Sequence, residues 1–229
     1  MKSFVTAIIV AAGNSSRMGL EFSKQFIPLC GAPVIAHTLR AFEESEIIDS
    51  IVVVCREQDM DEIIKIASDF GCKKARAFVK GGDTRDKSVR NGIEACDERT
   101  THFAIHDGAR PLIESEDIKN VVNAAFECGA AALGTPVTDT IKVVDSENRI
   151  LSTPDRSNLR AVQTPQVFAK ELYLGALANG SAAGITDDCQ LVESIGASVS
   201  IIISKGQNIK LTTQNDIKIA EMILRERGR

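Results

Sequence analysis

Apolar residues along this chain switch repeatedly between two rhythms. Phe4 to Val10 is a near-continuous apolar run, the pattern of a strand buried on both faces. Pro33 is placed to open a helix whose inner face carries Ile35, Leu39 and Phe42. Ile51 to Val54 reads as a second strand. Met60, Ile63, Ile64 and Ala67 form the i, i+3, i+4, i+7 stripe of an amphipathic helix. Ala75 to Val79 predicts a third strand, and helical stripes recur at Val89, Gly92, Ile93, Cys96 and at Ile118, Val121, Val122, Ala125. Phe103 to Ile105 is a strand between those two helices, and Ser115 is a plausible N-cap for the second. Ala130 to Val137 and Ser198 to Ile203 supply further strands. Thr213 and Asp216 form a capping-box-like start before Ile217, Ala220, Ile223 and Leu224.

Strands that alternate with helices predict an α/β fold, three layers deep, on a mostly parallel sheet. Residues 138–162 break the rhythm. They hold short β-like runs, Thr140 to Val144 and Arg149 to Leu151, around the turn Asp145-Ser146-Glu147-Asn148, and no helical stripe. We read a protruding β-hairpin arm on a single domain spanning 1–229. An arm that cannot bury itself alone packs on something, and a second copy of the chain is the natural candidate.

Composition narrows the partners. The 229 residues carry 27 Lys+Arg against 31 Asp+Glu, a formal net charge of −4, so bulk charge cannot hold nucleic acid or an anionic membrane. Any anionic ligand must be met by a local concentration of cations. There is no Trp and one Tyr, little with which to stack on single-stranded nucleic acid. The apolar run near the start is about half the roughly 20 residues a membrane span needs. The six cysteines lie scattered without a close pair, which fits free thiols in a reducing cytoplasm.

The first strand runs into Ala11-Ala12-Gly13-Asn14-Ser15-Ser16-Arg17-Met18-Gly19, followed by Lys24-Gln25. In an open parallel sheet, ligands bind beyond the carboxyl ends of strands, where a small-residue loop can present backbone N–H groups to phosphate. The loop is neither GxxxxGK[ST] nor GxGxxG, and a Gly-containing turn alone equally marks a tight turn. Arg17 and Lys24 add two cations within seven residues.

That stretch, read with Pro28, Leu29, Gly31 and Pro33, resembles the nucleotidyltransferases that join a nucleoside triphosphate to a sugar phosphate. Further stretches narrow the resemblance: Gly81-Gly82-Asp83-Thr84-Arg85 through Ser88, His106 to Pro111, Pro136 to Lys142, Asp155-Arg156, Gln163 to Gln166, Thr186-Asp187-Asp188 and Asn208 to Thr212. Together they are similar to the 2-C-methyl-D-erythritol 4-phosphate cytidylyltransferases of the non-mevalonate isoprenoid pathway, from about residue 5 to 225. Asn14-Ser15-Ser16, Gly108 and Gln214 depart from the family pattern without touching a proposed catalytic residue.

The resemblance implies a Rossmann-like nucleotidyltransferase domain that transfers a cytidylyl group from CTP to methylerythritol phosphate. It implies Mg²⁺ or another divalent cation accompanying CTP, and a homodimer through the arm. It assigns catalytic roles to Arg17, Lys24, Arg156 and Lys210, with Arg156 reaching the neighbouring subunit's substrate. Ala11, Ala12, Gly13, Gly82, Asp83 and Ser88 are implied nucleotide contacts. Asp107, Arg110, Thr140 and Thr164 are implied acceptor contacts, and no residue is assigned as a protein metal ligand. His106 reads as a positioned neighbour rather than a general base, His37 and His102 as packing or surface residues. Arg85 either joins the basic rim or closes an ion pair. Ribitol 5-phosphate cytidylyltransferase is the nearest alternative, and Pro136 to Lys142 with Asp155-Arg156-Ser157 favour methylerythritol phosphate. A non-catalytic nucleotide-binding regulator would be expected to lack Arg17, Lys24 or Lys210. A nicotinamide-dependent dehydrogenase would need the missing GxGxxG.

Overall fold

The structure, a computed structural model, describes residues 3–13, 23–179 and 186–228. The first buried run forms β1 (Val5–Val10), and the later runs form β4 (Ser50–Cys55), β5 (Ala75–Lys80), β6 (His102–Asp107), β7 (Ala130–Pro136) and β11 (Ser200–Ile203). Two residues each make β2 (Pro28–Leu29) and β3 (Ala32–Pro33), a small separate hairpin. With β10 (Arg160–Ala169) the main sheet has the order β11-β7-β10-β6-β1-β4-β5. β1 pairs in parallel with β4 and β6, β4 with β5, and β7 with β11; β10 runs antiparallel between β6 and β7. The chain leaves β1 toward β4 and β5, then returns to β1's other side as β6. That reversal is the topological switch point beyond which open α/β sheets bind ligands.

Helices cover both faces because alternate strand residues are apolar on each. On one face α1 (Val34–Glu44), α2 (Met60–Asp69) and α4 (Ser115–Cys128) pack on Ala7, Ile9, Ile51 and Val53. On the other, α3 (Arg85–Glu94), α5 (Lys170–Asn179) and α6 (Asp188–Glu193) pack on Ile8, Val54, Phe103 and Ile105. A Cβ at Gly92 would lie 2.6 Å from Ile8 Cγ2 and 2.8 Å from Val54 Cγ2, so only glycine lets α3 approach this closely. The last helix, α7 (Gln214–Glu226), covers the β2–β3 hairpin through Ala220, Ile223 and Leu224. Its capping box forms as expected, with the Thr213 hydroxyl accepting from the Asp216 N–H and the Asp216 carboxylate accepting from the Thr213 N–H. The three-layer α/β architecture is as the alternation implied.

Four local expectations change. Glu114, not Ser115, is the N-cap of α4, and it makes no side-chain capping bond; Ser115 is already helical. On α2, which follows a 3₁₀ turn at Glu57–Asp59, the buried stripe runs through Ile63, Ile66 and Ala67, while Ile64 is exposed. The hairpin arm exists as β8 (Val143–Val144) and β9 (Ile150–Ser152), shorter strands than expected, around a turn in which Asn148 has φ 60°. The arm ends earlier than 162, because Arg160–Val162 already pair with Pro136–Gly134 in the main sheet.

No helix among the described residues is long and apolar enough to cross a membrane. All six cysteines are free.

Candidate functional site

Beyond the carboxyl ends of β1, β4, β5 and β6 opens a cleft of about 580 Å³. Among the described residues its walls carry five cations, Lys24, Arg56, Lys80, Arg85 and Lys210, against three carboxylates, Glu57, Asp83 and Asp107. A chain of net charge −4 thus concentrates positive charge where its sheet ends.

The loops that form the walls are locked to each other by small residues. Ala12 and Gly13 follow β1, and the Ala11 N–H donates to the Val54 carbonyl at 2.7 Å, tying this loop to β4. Gly81 and Gly82 follow β5. A Cβ at Gly81 would collide with the Ala12 side chain and press on the Ser88 hydroxyl, so the two nucleotide-loop candidates meet only because this position is glycine. The Ser88 hydroxyl lies between, accepting from the Gly82 N–H at 3.1 Å and donating to the Thr84 carbonyl at 2.9 Å. Asp83 points outward and pairs with Lys87 at 3.2 Å.

Lys24 lies in a 3₁₀ turn, Lys24–Phe26, and is 9% exposed; its ammonium donates to the Leu211 carbonyl at 3.1 Å. That bond joins the segment after β1 to the Lys210 segment, 187 residues apart. Beside it, Gln25 is buried in the cleft wall, and its Oε1 has no hydrogen-bond partner among the described residues; the sequence alone assigns no role to this acceptor.

At the floor, Asp107 ends β6 and is the focus of three cations. Lys210 Nζ lies 2.8 Å and Arg110 Nε 3.4 Å from its Oδ2, and Arg85 Nε lies 3.7 Å from its Oδ1. Burial alone would raise its pKa, but Lys210, Arg85 and Arg110 outweigh burial and hold the carboxyl below the usual carboxylate range. Arg110 is anchored by donating to the Asn208 carbonyl at 2.8 Å. Thr164, on β10, is buried; its hydroxyl accepts from the Asp107 N–H at 3.1 Å and contacts His106 Nδ1 at 3.1 Å.

The hydrogen bonds fix the His106 tautomer. Its Nε2 faces the Arg110 carbonyl at 3.3 Å, which can only accept, so Nε2 carries the proton. Nδ1 is then an acceptor, and the Thr164 hydroxyl donates to it. Burial pushes the His106 pKa down to about 3, so it is neutral and orients the Thr164 hydroxyl that accepts from the Asp107 N–H.

The cleft therefore gathers Ala12, Gly13, Gly82, Asp83, Ser88, Lys24, Asp107 and Lys210 from four loops. Ala11 is buried directly behind it. Arg110 and Thr164 contact Asp107 rather than the cleft itself. Thr140 and Arg156 do not join it: both sit exposed on the arm, where Arg156 follows Asp155 in a 3₁₀ turn and donates to the Thr138 carbonyl at 2.8 Å. Arg17 lies outside the described residues. Arg56, Glu57, Gln58 and Lys80 in the wall were not singled out from sequence, since a charge after a strand reads as solvated surface.

The described residues include no group of three His, Cys, Asp or Glu side chains that could hold a metal, and Asp107 is already shared by three cations. A divalent ion caged by protein side chains does not fit this donor set. Nor is there an activated thiol at hand: burial pushes Cys55, beside the cleft, up to about 11.

The family profile for 2-C-methyl-D-erythritol 4-phosphate cytidylyltransferase matches residues 5–226. The chain belongs to this family. A protein of that name from Caldanaerobacter subterraneus subsp. tengcongensis is 44% identical over 225 residues, 97% of this chain and 99% of its own length. Another, from Desulforamulus reducens, is 41% identical over 229 residues, 98% of this chain and 97% of its own. The crystal structure of 4-diphosphocytidyl-2C-methyl-D-erythritol synthase from Anaerococcus prevotii is similar with a TM-score of 0.85 at 32% identity, covering 97% of this chain and 96% of that one. The similarity spans the cleft and the arm alike, so the motifs that carried the resemblance belong to one full-length match.

Proposed function

We propose that the cleft transfers the cytidylyl group of CTP to 2-C-methyl-D-erythritol 4-phosphate, giving 4-diphosphocytidyl-2-C-methyl-D-erythritol and pyrophosphate. The reading is carried by one observation: in a chain of this family, Lys24 and Lys210 converge with the Ala12–Gly13 and Gly81–Gly82 backbones in a single cleft. In this reading the cytosine lies against the Gly82–Ser88 loop, whose amides, carbonyls and hydroxyl can match the base's N4 donor and its N3 and O2 acceptors. The triphosphate runs past Gly13 toward Lys24, and the family resemblance assigns Arg17 to the same phosphates. Methylerythritol phosphate lies over Asp107, whose carboxylate accepts from its hydroxyls.

The chemistry is a direct displacement. An oxygen of the acceptor phosphate bonds to the α-phosphorus of CTP while the bond from that phosphorus to the α–β bridging oxygen breaks, and pyrophosphate leaves with the electron pair. An anion must approach a polyanion, so the demand is for fixed positive charge and alignment rather than for a side-chain nucleophile. Lys24 is suited to the charge developing on the triphosphate, because its buried ammonium is already oriented by the Leu211 carbonyl. Lys210 is suited to orient the acceptor phosphate from its place on Asp107. Mg²⁺ or another divalent cation arriving with CTP would supply further positive charge to its phosphates.

Arg156 belongs to this reading through a second copy of the chain. The arm that carries it exposes Val143 (44%), Val144 (43%), Ile150 (62%) and Leu151 (64%), an apolar surface that supports a homodimer in which each arm completes the other's acceptor site. The free cysteines support a reducing, cytoplasmic setting. The test is pyrophosphate release with CTP, UTP or ATP crossed with methylerythritol phosphate or ribitol 5-phosphate, with and without Mg²⁺. Release with CTP and methylerythritol phosphate above every other pair is expected. A preference for ribitol 5-phosphate, or nucleotide binding without release, would replace this reading by one of its alternatives.

A further inference from the structure

Arg85 opens α3 at the cleft wall, yet its strongest partner lies behind it. Nη1 is 2.6 Å from Asp188 Oδ2, whereas Nε is 3.7 Å from Asp107 Oδ1. Asp188 begins α6 and is 4% exposed. Two bonds hold it, its Oδ1 accepting from the Tyr173 hydroxyl at 2.7 Å and its N–H donating to Gln166 Oε1 at 3.0 Å, and the same Gln166 side chain ties down the preceding Asp187 by donating from Nε2 at 2.9 Å. Tyr173 is itself fixed by ring contacts with Phe103 and Phe168. A rigid carboxylate therefore pins the guanidinium from the far side of the cleft floor.

The consequence falls on Asp107. An unpinned guanidinium closes on a carboxylate through two parallel N–H bonds, the geometry arginine favours. Pinned at 3.7 Å, Arg85 contributes charge to Asp107 without taking its oxygens, and Oδ2 stays with Lys210 at 2.8 Å. We propose that Asp188 and Tyr173 are positioning residues that act through Arg85, keeping it from capturing Asp107 and so holding Lys210 in place for the acceptor phosphate. The role in turnover rests on the cytidylyltransferase reading; the control over Lys210 does not.

The experiment separates the two. The accessibility of the Lys210 amine is read by mass spectrometry as its rate of acetylation in the substrate-free protein, in the wild type, Asp188→Asn, Arg85→Met and the double variant. Asp188→Asn is expected to speed Lys210 labelling several-fold, because Arg85 takes Asp107 and releases the lysine. On the Arg85→Met background the same change is expected to have no effect. Tyr173→Phe keeps the ring packing, removes only the hydroxyl, and is expected to move labelling the same way by less, which keeps the test open if Asp188→Asn does not fold. Unchanged labelling in the folded variants, or an equal change with Arg85 removed, would overturn the proposal. In turnover, Asp188→Asn is expected to lower kcat/KM for the acceptor about 10- to 100-fold, the range coupled charges reach, with CTP affinity little altered. A wild-type protein that shows no cytidylyl transfer would defeat the functional reading while leaving the labelling result standing.

Discussion

Lowering the pH from 7.5 to 4.5 should cost this protein about 2.7 kcal/mol of stability through His106 alone, from 1.36 kcal/mol for each of the two units below the ordinary histidine value. Burial pushes the His106 pKa from 6.5 down to about 3. Above 6.5 both folded and unfolded forms are neutral and the group contributes nothing to the pH dependence. Below 6.5 the unfolded chain takes up a proton that the folded chain refuses, so stability is lost steadily until the pH approaches 3. The Asp107 carboxyl works in another window: its pKa lies below its ordinary 3.8, so its stabilisation is present above 3.8 and fades only beneath it. His102, also lowered by burial, adds a contribution of the same sign as His106. Comparison with His106→Gln cancels that background. The assay is urea unfolding at pH 7.5, 6.5, 5.5 and 4.5, with coincident spectroscopic probes to check two-state behaviour. Between pH 7.5 and 4.5 the wild type should lose about 2.7 kcal/mol more than the variant, most of it below pH 6.5. Parallel losses in the two proteins would refute the neutral, buried imidazole and the tautomer that orients Thr164.

Thr164→Val removes the hydroxyl that bridges the Asp107 N–H and His106, and should cost about 1–3 kcal/mol, the penalty for stranding buried polar groups. Differential scanning calorimetry would register that as a Tm lower by several degrees. Lys24→Ala should lower kcat by about 10²- to 10³-fold, as for loss of one preorganised donor to a developing negative charge, while the fold survives; near-normal turnover measured by pyrophosphate release would remove Lys24 from the mechanism. With the proposed arm-mediated dimer, Ile150→Ser combined with Leu151→Ser should shift sedimentation from dimer toward monomer and reduce acceptor use, since both side chains are more than half exposed on the arm; a wild type that sediments as a monomer would remove the dimer from the proposal.

Long periodic segments were legible from sequence because one physical rule governed each. The first strand, α3, α4 and the capped α7 each follow from a buried face, and the capping box from two side chains three residues apart. β10 was not legible. Its centre is Gln163-Thr164-Pro165-Gln166, polar and proline-containing, and proline in a run argues against a strand. The structure accommodates it at a register shift between Val162 and Gln166, where the ladder to β7 is interrupted. The site divides similarly. Lys24, Asp107 and Lys210 stood out through motifs at strand ends, and the fold brings them together. The Arg85–Asp188–Tyr173 connection joins residues up to 103 positions apart on three different helices, and no local pattern encodes such a contact. Arg156 and Thr140 lie exposed on the arm and outside the cleft, so their link to the site rests on the proposed second copy of the chain rather than on a contact within one chain.

The proposed transfer is a single in-line displacement at the α-phosphorus of CTP, driven by fixed charge without an enzyme-bound intermediate. Its most direct test is the stereochemical course of transfer from a single diastereomer of α-thio-CTP to methylerythritol phosphate. A single displacement gives inversion at phosphorus, and retention would contradict it by requiring two displacements through a nucleophile on the protein.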